Sequence, residues 1–284
     1  MEPVDRQQPS INDIDIEAIE IPLLLESVFQ RYGYDFRDYA PASIKRRLWN
    51  SVRKEGLTTI SGLQERVLHD PESMERLVVD MSINVTSFFR DPTFYSVFRE
   101  KVVPLLRTYP FIRVWHAGCS TGEEAYSIAI LLHEEGLYEK SKIYATDIND
   151  TVLRRAKSGI YPMKSMQEYT QNYIQAGGKK AFSEYYLAID HDAIFDSKLK
   201  KNVVFACHDL VLDQSFNEFN VILCRNVLIY FNKKLQDRVH DLFYKSLCNF
   251  GILVLGAKES LRFTSREQDY EELDSRWRLY RKVR

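Results

Sequence analysis

Residues 112–127 read IRVWHAGCSTGEEAYS, and the architecture of the chain is decided there. Ile112, Val114, Trp115 and Ala117 sit in a short apolar run of strand length. Beyond the loop that follows, Ala125, Ile128, Ala129, Leu131 and Leu132 recur at helical spacing. Between strand and helix, Gly118 and Gly122 let backbone approach a ligand closely. The first crossover of an open α/β sheet is where such ligands bind. The four-residue spacing of the glycines does not fit a dinucleotide fingerprint. The loop also lacks the Gly-Lys-Ser/Thr of a phosphate cradle. Glu123 and Glu124 at the helix start would repel a pyrophosphate and suit a ligand carrying positive charge. They equally suit the positive end of the helix dipole, so on the loop alone both readings stand.

Working outward, short apolar runs at 143–146, 203–207, 221–223 and 252–255 alternate with stretches of helical period such as 123–135 and 234–249. Strands alternating with helices predict a mostly parallel sheet wrapped by helices. The second run ends in Ala145-Thr146-Asp147-Ile148-Asn149, where Asp147 is placed to accept ribose hydroxyls. A helix N-cap is its plainer role. A third run ends Cys207-His208-Asp209-Leu210. Asp209 there is within reach of an adenine amino group, whereas His208 alone reads as structural. Three strand tips thus converge on one nucleoside, and the acidic helix start would suit one with a cationic part, such as the amino-acid end of S-adenosylmethionine. Residues 161–201 do not fit the alternation. They are polar, contain Gly177-Gly178 and carry an aromatic-rich run at 182–187, too long for a simple connection. An inserted subdomain with some helix and a small antiparallel sheet is expected.

Upstream, apolar residues recur at helical spacing (Ile21, Leu24, Leu25, Val28 and Phe29, then Leu63, Val67, Met74 and Leu77), punctuated by Gly33, Pro41, Gly56 and Pro71. This half predicts a small all-α domain over 1–83, ahead of the α/β domain over 84–284. The 284 residues carry a formal net charge of −1, so no global field draws the chain to nucleic acid or an anionic membrane. No apolar stretch is long enough for a membrane span, and the N-terminus has no signal-peptide pattern. Cys119, Cys207, Cys224 and Cys248 show no CxxC spacing and the histidines are scattered, so neither disulfides nor a metal site is expected. A reduced, cytoplasmic setting follows from that cysteine usage.

Four segments together resemble the chemotaxis receptor methyltransferases, the CheR family. They are Asn84-Val85-Thr86-Ser87-Phe88-Phe89-Arg90-Asp91, the AGCSTGEE loop at 117–124, the ATDI at 145–148, and Leu223-Cys224-Arg225-Asn226-Val227-Leu228-Ile229-Tyr230-Phe231. The resemblance covers the α/β half almost end to end. It implies a helical N-terminal domain joined to a doubly wound, Rossmann-like S-adenosylmethionine domain with an inserted small β-subdomain. It also implies protein-glutamate O-methylation that leaves methyl esters and S-adenosylhomocysteine. By the same resemblance Asn84, Thr86 and Arg90 contact cofactor or reacting centre, Glu123 binds the cofactor and Asp147 holds the ribose. Asp209 and Leu210 would border the adenine, Asn226 and Val227 would line the methionine end, and Tyr230 would lie beside the transferred methyl. Two departures are mild. Ala125 stands where proline is usual, and Lys258 replaces a more typical histidine or serine beside Glu259-Ser260.

The residue types suit that chemistry. Displacement at a sulfonium demands alignment above all. A glutamate nucleophile is ionised at neutral pH and needs no strong general base. Carboxylate and sulfonium lose opposite charges as they react, so a water-poor pocket hastens the step. Phe88, Phe89, Tyr230 and Phe231 are expected to wall it. Arg90 would orient the incoming carboxylate bidentately, or else pair with Asp91 or Glu100. In 44–54 the helical period sets Ile44, Leu48 and Val52 on one face. Arg46, Arg47, Arg53 and Lys54 are read on the opposite arc, where a glutamate-rich receptor helix would dock. A solvated charged face is the ordinary alternative. The insertion is the expected second contact, because in some relatives it takes a receptor C-terminal tail by strand addition. A purely structural insertion is the alternative. Two other functions compete: a scaffold that senses S-adenosylmethionine without turnover, and a methyltransferase for small carboxylates.

Overall fold

A computed structural model describes residues 15–82 and 86–283. The chain divides into two compact units, with the boundary between Met81 and Ser82.

The first unit is four helices: α1 (Ile16–Tyr32), α2 (Pro41–Lys54), α3 (Ile60–His69) and α4 (Pro71–Met81). Asp15 caps α1 through the Glu17 amide, and Gly33 ends it in a left-handed conformation with its N–H on the Phe29 carbonyl. Leu24, Leu25 and Val28 of α1 form its core with Ile44, Leu48, Val52, Leu63, Val67, Leu77 and Met81.

The helix α2 corrects the reading of its basic face. Arg46 and Arg53 are exposed, but Arg47 is only 6% exposed and belongs to the buried side. At about 100° per residue Arg47 lies only about 60° from Ile44, at the edge of the buried arc rather than opposite it. Lys54 sits near the same edge and is engaged by Asp80 of α4, which also accepts the Ser51 hydroxyl at 2.9 Å. Of the four basic residues, Arg46, Arg53 and Lys54 are exposed, Lys54 while paired with Asp80, and only Arg47 is buried.

The second unit opens with α5 (Pro92–Lys101) and α6 (Val103–Arg107). It continues β1 (Ile112–Ala117), α7 (Glu123–Glu134), β2 (Ser141–Asp147) and α8 (Asp150–Ser158). The insertion follows: β3 (Ile160–Pro162), α9 (Met166–Gln175), β4 (Tyr186–Ile189), β5 (Asp192–Phe195) and α10 (Ser197–Lys200). Then come β6 (Val203–Cys207), β7 (Phe219–Cys224), α11 (Lys233–Ser246), β8 (Leu247–Leu255), β9 (Tyr270–Asp274) and β10 (Leu279–Lys282). The main sheet runs β6-β2-β1-β7-β8-β10-β9. Its first five strands are parallel, and β10 pairs antiparallel with both β8 and β9. The strand order reverses beside β1, so the crevice of such a sheet opens at the carboxyl end of β1. The last antiparallel pair escaped the sequence reading. An edge strand is half solvated, and charged residues such as Glu271 and Glu272 hide its apolar period.

The insertion holds a three-stranded antiparallel sheet, β3-β5-β4. It is welded to the core by rings. Phe88 stacks on Phe195 at 4.5 Å between centroids and meets Tyr161 edge-on at 5.0 Å. Phe89 packs on Tyr95 and Tyr173. Both phenylalanines are fully buried, which corrects their expected role as pocket walls: they anchor their segment to the core and insertion.

Candidate active site

The glycine loop takes its shape from three left-handed residues: Gly118, Ser120 and Gly122, with φ of 75°, 52° and 92°. A Cβ at Gly118 would stand 2.5 Å from a Val227 methyl, and one at Gly122 would stand 2.9 Å from Ala156. Here glycine is required by both conformation and space. The loop is fastened to the tip of β2. The N–H groups of Gly118 and Cys119 donate to the Thr146 carbonyl, and that of Ser120 donates to Asp147 Oδ2 at 2.8 Å. Asp147 Oδ1 accepts the Asn149 amide at 3.0 Å. Asn149, not Asp147, caps α8. His208 donates its N–H to the Asp147 carbonyl, which brings the end of β6 to the same place.

Glu123 is 4% exposed, and its carboxylate accepts the Thr121 hydroxyl at 2.6 Å. Among the described residues it forms no ion pair. Burial pushes its carboxyl above the usual range. Burial likewise raises Asp147, against the pull of the Asn149 and Ser120 amides. The Ser120 hydroxyl is buried without a hydrogen-bond partner among the described residues. Sequence reasoning passed it over, and its signal was only that a serine lies between the two glycines.

Glu124, one residue on, is a different group. It binds Arg225 and stands 2.9 Å from His116 Nε2. Burial would raise it, but Arg225 and His116 overcome that and hold it down to about 2. Arg225 is itself buried, lies 4.3 Å over the Phe94 ring and reaches Asp91 Oδ2 at 2.6 Å. One guanidinium thus clips the segment bearing Arg90 and Asp91 to the start of α7. That is where the Asp91 carboxylate goes, and the sequence alone had offered it to Arg90. Phe89 N–H adds a bond to Ser127 of α7 at 2.9 Å.

The other sequence-derived residues fall as follows. Thr86 and Arg90 are half-buried in the segment just described, while Asn84 lies outside the described residues. Asp209 and Leu210 follow His208 in the loop after β6. Asp209 Oδ1 accepts the Val211 amide at 2.7 Å, and burial raises its carboxyl. The His208 ring packs on Trp115 and Phe216, a structural position. Asn226 has φ of 62° and starts the turn leading to Tyr230, whose N–H donates to Val227. Val227 packs on Gly118. The strand ends therefore gather the glycine loop, Asp147, Asp209 and the 226–230 turn along one edge. Arg46 and Arg53 belong to the helical unit.

Four features of this crevice fit a cationic nucleoside. They are the buried Glu123 and Ser120, with no ion pair and no hydroxyl partner among the described residues, the raised Asp147 carboxyl and the close backbone approach at Gly118. Glu123 and Ser120 would face the charged amino-acid end, and Asp147 the ribose. Among the described residues no His, Cys, Asp and Glu cluster could hold a metal ion, and no helix is long and apolar enough to cross a membrane. The four cysteines are free thiols.

Residues 84–279 match the family model described as CheR methyltransferase, SAM binding domain, and residues 19–82 match CheR methyltransferase, all-alpha domain. A Pseudomonas putida protein carrying the name methyltransferase Cher3 is 54% identical over 264 residues, covering 93% of this chain and 97% of that one. Chemotaxis protein methyltransferases of Listeria monocytogenes (29% over 231 residues; 81% and 85% covered) and Salmonella typhimurium (29% over 255 residues; 86% and 84%) are similar over most of both chains. Two models matched in order, over units that the coordinates divide independently, leave one assignment: the chain belongs to the CheR methyltransferase family, and its cofactor is S-adenosylmethionine.

Proposed function

We propose that this chain methylates glutamate side chains on the cytoplasmic helices of chemoreceptors, yielding methyl esters and S-adenosylhomocysteine. The observation that carries the reading is that two segments are fastened at the glycine loop and the helix that follows it. Arg225 ties the Arg90 segment to α7 through Asp91 and Glu124. Val227 seats the Tyr230 turn on Gly118. Groups held that way can align a nucleophile, which is the main demand of the reaction.

Bound cofactor supplies an activated methyl on a sulfonium. The chain supplies the rest. Glu123 and Ser120 grip the charged amino-acid end, Asp147 the ribose, Asp209 and Leu210 the adenine, and Asn226 and Val227 the methionine end; Thr86, and by the family resemblance Asn84, contact cofactor or reacting centre. Arg90 orients the incoming carboxylate, and Tyr230 borders the transferred methyl. A carboxylate acceptor arrives ionised, so no side chain has to take a proton from it. Support for a receptor substrate comes from the relatives named chemotaxis protein methyltransferases and from the exposed Arg46 and Arg53 on α2. Such a pair would set register and association rate on an acidic helix. The edge strand β4 would accept a receptor tail, if the receptor carries one, by strand addition.

The test is to incubate the protein with labelled cofactor and candidate receptor cytoplasmic domains. Base-labile methyl esters on glutamate are expected. Base-stable label would assign a different nucleophile, and label only on small carboxylates would remove the receptor from the proposal. Cofactor binding with no transfer to any acceptor would favour a sensing scaffold.

A further inference from the structure

We propose that Glu259 is a positioning residue of this methyltransferase: its carboxylate fixes the turn bearing Asn226, Val227 and Tyr230 against the glycine loop. The inference rests on the cofactor-site reading above.

Glu259 lies just past β8 and is 5% exposed. Its Oε1 accepts the amides of Val227 (2.8 Å), Leu228 (2.8 Å) and Ile229 (3.4 Å). Its Oε2 accepts those of Asn226 (3.0 Å) and Gly256 (2.5 Å). Four successive amides converge on one carboxylate because Asn226 is left-handed and opens a short 3₁₀ turn, Leu228–Tyr230. The first N–H groups of a helical turn have no partner of their own, and a carboxylate there satisfies them while complementing their dipoles. Among the described residues no cation pairs with Glu259, so amide dipoles alone offset the burial that pushes its carboxyl up.

The other contacts of the turn make the position consequential. Val227 presses on Gly118, where even a methyl group would stand 2.5 Å from it. Gln236 of α11 donates to the carbonyls of Leu228 and Phe231, at 3.0 Å each. The turn is thus held between the glycine loop, the end of β8 and α11, and the carboxylate is the member that meets its amides. Glutamine cannot replace it. The site presents donors only, and an amide NH₂ would face at least two of them.

Two variants of the full chain attack the clamp from opposite sides. E259Q replaces one acceptor oxygen with a donor. G256A adds a methyl 2.7 Å from Glu259 Oε2 and 2.8 Å from the Asn226 nitrogen. E134Q is the control: Glu134, at the far end of α7, is a buried carboxylate held by Tyr173, Tyr185 and Arg99. Calorimetry with S-adenosylhomocysteine should show affinity weakened roughly tenfold or more in E259Q, the scale of an unsatisfied buried donor. G256A should follow in the same direction, and methyl transfer should slow in both. E134Q should lower only the melting temperature. Hydrogen exchange at 226–230 should accelerate in E259Q and G256A but not in E134Q. If E259Q does not fold, G256A carries the same measurements. Affinity and turnover within twofold of wild type in the folded variants would overturn the proposal, as would unchanged amide protection at 226–230. Wild type that bound no S-adenosylhomocysteine would instead sink the cofactor-site reading. The exchange data would then still decide whether the clamp exists.

Discussion

Glu123 and Glu124 are neighbours in sequence, equally buried, and electrostatically opposite. Burial leaves Glu123 with a raised carboxyl, bonded to the Thr121 hydroxyl and in no ion pair among the described residues. Arg225 and His116 hold Glu124 down to about 2. The helix turns about 100° between them, enough to give the two side chains different surroundings: Thr121 for one, Arg225 and His116 for the other. Burial raises both Asp147 and Glu259, but they differ in their partners: the Ser120 and Asn149 amides bond Asp147, whereas five amides enclose Glu259. A buried carboxylate whose charge the protein has already met is a fastening. One whose charge it has not met waits for a ligand.

The harshest test of that division is Glu124→Gln. Breaking a buried pair leaves Arg225 with too little negative charge, and the unfolding free energy should fall by about 3–5 kcal/mol. Urea titration checks it, and a loss below about 1 kcal/mol would mean that the fastening is weak. On the ligand side, Asp147→Ala should weaken S-adenosylhomocysteine on the order of a hundredfold, as expected for hydrogen bonds lost from a charged acceptor. Calorimetry reads this directly. Arg90→Ala should cut turnover roughly ten- to hundredfold, with cofactor affinity within about threefold. Equal turnover would remove Arg90 from the mechanism.

Glu123→Gln sharpens the contrast, because its two effects should run in opposite directions. Cofactor affinity should drop roughly tenfold. The ligand-free protein should melt higher, on the order of 2–4 °C, because a buried unmet charge has gone. The pH dependence follows from the raised carboxyl. Its stabilising contribution in the free protein is full below the unfolded value and is lost as pH rises through the raised one. Cofactor binding needs the ionised form, so affinity should fall as pH drops through that same raised value, and the variant should flatten both profiles. Glu124 behaves inversely. Its contribution is present above the ordinary carboxylate value and is lost only as pH falls toward about 2. Smallest of all, charge reversal at Arg46 and Arg53 should raise the receptor KM severalfold and leave cofactor affinity alone, since exposed charges act mainly on encounter. Unchanged receptor kinetics would dismiss α2 as a docking surface.

The comparison also shows where sequence reading runs out. The glycine loop was legible because its constraint is local: left-handed backbone and close approach select glycine at 118 and 122. The helices of the first unit were legible for a similar reason, since burial imposes a period. Arg47 was misread by residue type, since a charged side chain was assigned to the solvent arc although its helical angle sets it about 60° from Ile44, on the buried side. Phe88 and Phe89 were misread because aromatic side chains near a site serve equally well as core. Glu259 lay in plain view beside Lys258 with no periodicity or motif to mark it, because its partners are backbone amides of a turn some thirty residues earlier.

By itself, the sequence determined the alternation of strands and helices, the loop that must be glycine and the presence of acids at the strand tips. Each of these is fixed by residue type and short-range spacing. Only the tertiary structure decided which acid meets a cation, which meets amides and which is left for a ligand. Such partners are brought together from distant parts of the chain, and in a low-dielectric interior a separation of a few ångströms sets the sign of the result.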